Sequence, residues 1–255
     1  MVVVNRLKRM LREGRVALGA MVTIPHPDVA EMLSLLGFDW LLIDLEHAPI
    51  DFGDLEVMAM AVREPATPLA RVPGNDPVYV KRALDTGVLG IMVPHVDSRE
   101  EAKLAAASVR YPPKGVRGVG PRRAARFGLA RKEYLERANG EVMLIVQIES
   151  RESVENMEEI ITVEGVDAYF IGPSDLSASM GYLGNWRAPE VVKAIEKVAE
   201  AGRAHGVPGG IYCPDAQAVK WALDLGLTLL AIGSDYRFLV AGAQARLEDA
   251  RKIVG

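Results

Sequence analysis

Two carboxylates, Glu149 and Asp175, each close a short apolar run: Leu144-Ile-Val-Gln-Ile-Glu149 and Tyr169-Phe-Ile-Gly-Pro-Ser-Asp175. Each run has the length and composition of a buried strand, and each acid falls where that strand runs out. Oxygen donors presented by two successive strand ends suit one divalent ion, Mg²⁺, Mn²⁺ or Co²⁺. Such ions accept few protein carboxylates and fill the shell with water and substrate. A 2-oxo acid would chelate the ion through its carboxylate and keto oxygen. A second role is open to both acids: Glu149 precedes Ser-Arg-Glu-Ser and Asp175 precedes Leu-Ser-Ala-Ser, so either could cap a helix.

Other residues with chemistry stand in similar positions. Gly172-Pro-Ser174-Asp175 forms a tight turn that leaves backbone N–H groups free to hold a carboxylate, or else is an ordinary strand-to-helix turn. Asp44-Leu-Glu46-His47 ends an apolar run and offers a general base with an acid to orient it. Alternatively, Asp44 and Glu46 pair with arginines and His47 fills a loop. Arg71 ends Pro68-Leu-Ala and would offset a substrate carboxylate or developing enolate, or act as counter-ion to the acids. Gln147 lies two residues before Glu149, so strand alternation puts both on one side. There it either donates to a substrate oxygen or supports Glu149. Cys213, the single cysteine, has no histidine beside it in sequence and reads as a buried or pocket-lining thiol. The basic cluster Arg117, Arg122, Arg123 and Arg126 has little aromatic interleaving and reads as a solvated loop or subunit contact.

These residues need a scaffold that brings strand ends together. Strands are expected at Val16–Val22, Trp40–Asp44, Pro68–Val72, Val88–Val93, Val142–Ile148, Ala168–Ile171, Pro208–Ile211 and Leu227–Ile232. Helix-length amphipathic segments follow each of them, the last over Tyr236–Ile253. Eight such units predict a (β/α)8 barrel, whose working face is the mouth at the strands' C-terminal ends. A doubly wound sheet would need fewer units and often a glycine fingerprint, and Gly19-Ala-Met-Val-Thr-Ile is not one. Arg110–Gly140 breaks the rhythm as a long loop on the helix-to-strand side.

A length of 255 residues accommodates the barrel as one domain, 1–255, and 49% hydrophobic residues supply its core. The net charge of −4 gives no bulk signal for nucleic acid. Charged residues interrupt every apolar run, which excludes a membrane span, and the lone cysteine suits a reducing cytoplasm.

Four segments in order resemble the HpcH/HpaI aldolase family of metal-dependent pyruvate aldolases. They are Asp44-Leu-Glu-His-Ala-Pro49, Tyr111-Pro-Pro-Lys-Gly-Val-Arg-Gly-Val-Gly120, Val146-Gln-Ile-Glu149 and Phe170-Ile-Gly-Pro-Ser-Asp-Leu-Ser-Ala-Ser-Met-Gly181. The resemblance implies a (β/α)8 fold, with Glu149 and Asp175 as metal ligands. It implies His47, supported by Asp44, in proton transfer, and Arg71 with Gln147 at the keto oxygen. Gly172 and the N–H groups of Ser174 and Asp175 would hold the pyruvate carboxylate. It also implies a hexamer of two trimers, with the last helix packed on a neighbouring barrel. Some members have tryptophan at the end of strand one where this chain has Met21, which with Thr23 faces the aldehyde side. The expected reaction is reversible cleavage of a 4-hydroxy-2-oxo acid, of the 4-hydroxy-2-oxoheptanedioate or 2-keto-3-deoxy sugar acid type, to pyruvate and an aldehyde. The alternatives are a lyase acting on a malyl-CoA or citramalyl-CoA type thioester, and a non-catalytic metal-binding scaffold. Short strand-to-helix loops leave little room for a CoA handle.

Overall fold

Eight parallel strands hydrogen-bond in sequence order and close on themselves: β1 (Ala17–Val22), β2 (Trp40–Asp44), β3 (Thr67–Arg71), β4 (Gly90–Val93), β5 (Met143–Ile148), β6 (Ala168–Ile171), β7 (Gly209–Tyr212) and β8 (Leu229–Ser234). The structure, a computed structural model, describes residues 4–255. Every expected strand is present within two residues of its expected bounds, and the (β/α)8 expectation holds. Outside lie α2 (Pro27–Leu35), α3 (Phe52–Ala61), α4 (Pro77–Asp85), α5 (Arg99–Ser108), α6 (Arg131–Glu141), α7 (Arg151–Glu155), α8 (Met157–Ile161), α9 (Pro173–Ser179), α10 (Pro189–Ala204), α11 (Ala216–Asp224) and α12 (Asp235–Val254). Several start on local signals: Asp51 with Asp54, and Ser98 with Glu101, form capping boxes for α3 and α5.

Strand alternation sorts the core into two apolar clusters. One fills the space between sheet and helices. The other fills the barrel interior, where Trp40, Leu42, Leu69, Met92, Ile145 and Phe170 meet. Gly19 is required by this packing, because a Cβ there would run into the Trp40 indole.

α1 (Arg6–Arg12) was not expected. It closes the bottom of the barrel, with Leu7, Met10 and Leu11 buried in the interior cluster at about 2 kcal/mol each. Asn5 caps it and donates to Leu89 O and Glu141 O at 2.8 Å each. The floor is thus sealed and the mouth stays open.

The segment expected as a long loop after α5 holds a single 3₁₀ turn and then α6. Sequence signals for α6 are weak, since Ala130 offers no capping side chain and Asn139-Gly140 sits in its last turn. Its basic cluster is not uniformly solvated. Arg117 is buried, donating to Asp85 Oδ1 at 2.8 Å and Tyr134 Oη at 3.1 Å and stacking on Tyr111. Among the described residues no helix is long and apolar enough to cross a membrane.

Candidate active site

Asp44 and Arg71 are the last residues of β2 and β3 and are paired in register. Both point inward above Leu42 and Leu69, and both are buried. Arg71 Nε donates to Asp44 Oδ1 at 2.9 Å and Nη2 to Oδ2 at 2.6 Å, a planar two-point fork. Glu46 Oε2 lies 3.1 Å from the same Nε. Burial raises the Glu46 carboxyl above its usual range, with Arg71 pulling the other way.

The pairing expected between Asp44 and the His47 ring takes another form. The Asp44 carboxylate is taken by Arg71 and by the backbone N–H groups of Glu46 (3.0 Å) and His47 (3.4 Å). The His47 imidazole is exposed, its Nε2 lying 3.6 Å from Glu46 Oε2. Asp44 therefore sets the loop that carries His47, while Glu46 is the acid beside the ring. His95 is not among the expected site residues. Its Nδ1 is 3.5 Å from Glu149 Oε1 and its Nε2 is 3.7 Å from Glu46 Oε1, because the ends of β4, β5 and β2 meet only in space.

Gln147 and Glu149 share the inner face of β5, as the alternation requires. Gln147 Nε2 donates to Glu149 Oε2 at 2.6 Å, and its Oε1 accepts from Arg71 Nη1 at 3.5 Å. The His95 backbone N–H donates to Glu149 Oε1 at 2.9 Å. A continuous polar chain thus runs Asp44–Arg71–Gln147–Glu149. The capping alternative for Glu149 does not hold, since Ser150 caps α7. Burial pushes the Glu149 carboxyl up to about 7, and the charges of Asp175 and Glu46 push the same way. Gly172 stands directly over this carboxylate. A Cβ there would collide with Glu149 Oε2 and lie 2.9 Å from its Cβ.

Asp175 is the third residue of α9, and Gly172 occupies the cap position without any side chain to use there. Asp175 therefore does not cap, and the first N–H groups of the helix, those of Ser174 and Asp175, face the mouth uncapped. Among the described residues no hydrogen bond or ion pair engages the Asp175 carboxylate. Among the described residues neither it nor Glu149 forms a salt bridge with a lysine or arginine.

These groups surround a cavity of about 540 Å³ at the C-terminal mouth. Met21, Thr23, Asp44, His47, Arg71, Gln147, Gly172, Ser174 and Asp175 all line it, while Glu149 lies beneath at 2% exposed. Every expected site residue is thus brought to one place. The side formed by Tyr212, Ser234, Tyr236 and Arg237 lies outside the expected site residues. The reason is that β7 and β8 were ended one and two residues too early. No lysine lines the cavity among the described residues.

A closed (β/α)8 barrel with carboxylates, a guanidinium and an amide converging at its C-terminal mouth defines a barrel enzyme acting on a small polar molecule. The chain belongs to the HpcH/HpaI aldolase/citrate lyase family, which matches residues 19–241. It is a carbon–carbon lyase of the aldolase type. It is 41% identical over 250 residues, 97% of each chain, to the 5-keto-4-deoxy-D-glucarate aldolase of Escherichia coli (strain K12). Its fold is similar to the HpcH/HpaI aldolase/citrate lyase family protein of Burkholderia cenocepacia J2315, with TM-score 0.93 and 38% identity over 97% of this chain and 99% of that one. It is also similar to the HpcH/HpaI aldolase of Desulfitobacterium hafniense DCB-2, with TM-score 0.87 and 32% identity over 97% and 96%.

Proposed function

We propose that the protein cleaves a 4-hydroxy-2-oxo acid reversibly to pyruvate and an aldehyde, with a divalent ion (Mg²⁺, Mn²⁺ or Co²⁺) held by Glu149 and Asp175. The observation that carries this reading is the pair of carboxylates that, among the described residues, form no salt bridge with a lysine or arginine, one buried and pushed up to about 7, the other facing the cavity. Two hard oxygen donors beside open space fit a cation that keeps part of its shell for water and substrate. When bound, that ion supplies Lewis-acid polarisation of the substrate's keto group.

The chain's own residues do the rest. The N–H groups of Ser174 and Asp175 hold the substrate carboxylate at the start of α9. Arg71, fixed by its fork to Asp44, presents Nη1 to the keto oxygen as negative charge develops there during C3–C4 cleavage. Gln147 bridges Arg71 and Glu149 and so holds the guanidinium and the carboxylate in fixed relation to each other. His47 takes the proton of the 4-hydroxyl group as the aldehyde leaves and returns it in the reverse reaction. Among the described residues no lysine lines the cavity to form a Schiff base, and the mechanism does not need one.

The substrate class follows the Escherichia coli relative. 5-Keto-4-deoxy-D-glucarate, numbered from its keto end, is a 4-hydroxy-2-oxo acid with a carboxylate at each terminus, and its cleavage gives pyruvate and tartronate semialdehyde. The working form is a homo-oligomer, a hexamer of two trimers. α12 leaves Val240, Leu247 and Val254 exposed along one stripe at a spacing of seven residues, a face suited to a neighbouring barrel.

The test is exchange of pyruvate methyl protons in D₂O, followed by NMR with Mg²⁺ and again after EDTA. Exchange needs only proton loss from the methyl group, so no aldehyde has to be known. Metal-dependent exchange is expected; its absence with every metal would overturn the reading.

A further inference from the structure

We infer that the β8–α12 corner of the cavity is a second carboxylate subsite, in which Arg237 and Ser234 hold the terminal carboxylate of the aldehyde half. This rests on the aldolase reading above and assigns the residues that choose its acceptor.

The corner is built on a rigid foundation. The Asp235 carboxylate accepts from Thr23 N, Thr23 Oγ1 and Ile24 N, all at 2.7 Å, and so pins the start of α12 to the end of β1. Asp235 is 5% exposed. The backbone that carries Ser234 and Arg237 is therefore held in place before any ligand arrives.

Two of those side chains have unused donors. Ser234 occupies the N-cap position of α12 yet its side chain makes no cap. Its hydroxyl is buried, lines the cavity, and faces the Tyr212 phenol without a hydrogen bond of ordinary geometry. A buried hydroxyl without a partner costs free energy, which a ligand oxygen would recover. Arg237 lines the same corner. Its Nε donates to Tyr236 Oη at 3.1 Å, which sets the plane of the guanidinium. Among the described residues it has no carboxylate partner, and its terminal nitrogens are left for a ligand.

Charge accounting in the mouth gives the chemical class. The acids there, with Glu46 and Glu149 beneath, repel a dianionic substrate. Arg71 cannot offset its far end, because Asp44 and Glu46 already engage it. Among the described residues that line the cavity, Arg237 is the guanidinium left to receive a second carboxylate, and its fork matches one in two-point geometry. The acceptor favoured by this corner is thus an aldehyde bearing a carboxylate.

A matched pair of acceptors tests this. Tartronate semialdehyde and D-glyceraldehyde differ only in carboxylate against hydroxymethyl, and each is added to pyruvate by the full-length metal-loaded enzyme. The wild type is expected to favour tartronate semialdehyde in kcat/KM. Arg237→Gln should shrink that ratio by about 10- to 100-fold, the worth of a hydrogen bond to a charged group. Arg237→Lys should restore part of it, and Ser234→Ala should shrink it less. A ratio unchanged in Arg237→Gln would overturn the subsite. Pyruvate methyl exchange by the wild type is read separately. Exchange with an unchanged ratio removes the subsite alone, whereas no exchange removes the aldolase reading beneath it.

Discussion

Arg71 and Asp44 are locked together at the mouth by two hydrogen bonds of 2.9 and 2.6 Å, and both side chains are almost wholly buried. The fork leaves Nη1 free to reach Gln147, and through it Glu149. One ion pair therefore sets the aim of the cation and links the β2–β3 side of the site to β5.

Removing one partner of a buried pair strands the other. Asp44→Ala should lower unfolding free energy by about 3 kcal/mol, and Asp44→Ala/Arg71→Met should regain part of that loss. Urea unfolding of the four variants measures the coupling. Strictly additive losses would mean that Asp44 does not hold Arg71.

Replacing Glu149 by Gln or Asp175 by Asn keeps shape but removes a charged oxygen donor. Each should weaken Mn²⁺ binding by roughly 100-fold or more, and Gln147→Ala, acting through Glu149, by about 10-fold. Calorimetric titration with Mn²⁺ reads all three directly. Wild-type affinity in Glu149→Gln would refute the ligand assignment.

His47 is exposed and touches neither carboxylate proposed to hold the metal. His47→Ala should therefore slow aldol cleavage by about 100- to 10,000-fold while Mn²⁺ affinity holds. Loss of Mn²⁺ binding in this variant would assign His47 to the metal rather than to the proton.

The barrel was legible in the chain because apolar runs and helix-length segments alternate eight times. Gln147 and Glu149 were placed correctly by the two-residue period of a strand, which depends on local geometry alone. What local geometry cannot give is which strand ends face each other. Glu46 and His95 are 49 positions apart yet approach within 3.7 Å, and nothing in either neighbourhood announces it. α1 was overlooked for a different reason. Its seven residues carry only three apolar side chains among basic ones, and they find burial only because the barrel floor is open to them. Ser234 and Arg237 were lost to a strand boundary drawn at Ile232, where the apolar run ends but the ladder to β1 continues to Ser234.

Gly19 faces the Trp40 ring inside the barrel, and Trp40 is itself fully buried with its indole N–H on Ala17 O at 3.2 Å. Gly19→Ala forces the ring or the strand aside and should cost about 1–3 kcal/mol, with Trp40→Phe partly relieving it. Thermal unfolding of the single and double variants checks this. No loss in Gly19→Ala would show the interior is looser than its packing indicates.

Cys213 follows β7 immediately but is 1% exposed, and its side chain does not line the cavity. Burial pushes its thiol up to about 12, and the neighbouring Asp215 carboxylate adds to the rise. A thiol reagent attacks only the thiolate, whose fraction at pH 8 is then on the order of 1 in 10,000. Native protein mixed with a chromogenic disulfide at pH 8 should release no stoichiometric colour within minutes. The rate should climb about tenfold per pH unit above that, because each unit raises the thiolate fraction tenfold while pH stays below the thiol's own value. Unfolding in guanidinium should expose the thiol and complete the reaction at once. Fast stoichiometric labelling of native protein at pH 8 would mean that the turn between β7 and α11 opens readily, and that the wall beside Tyr212 is less fixed than the burial of Cys213 suggests.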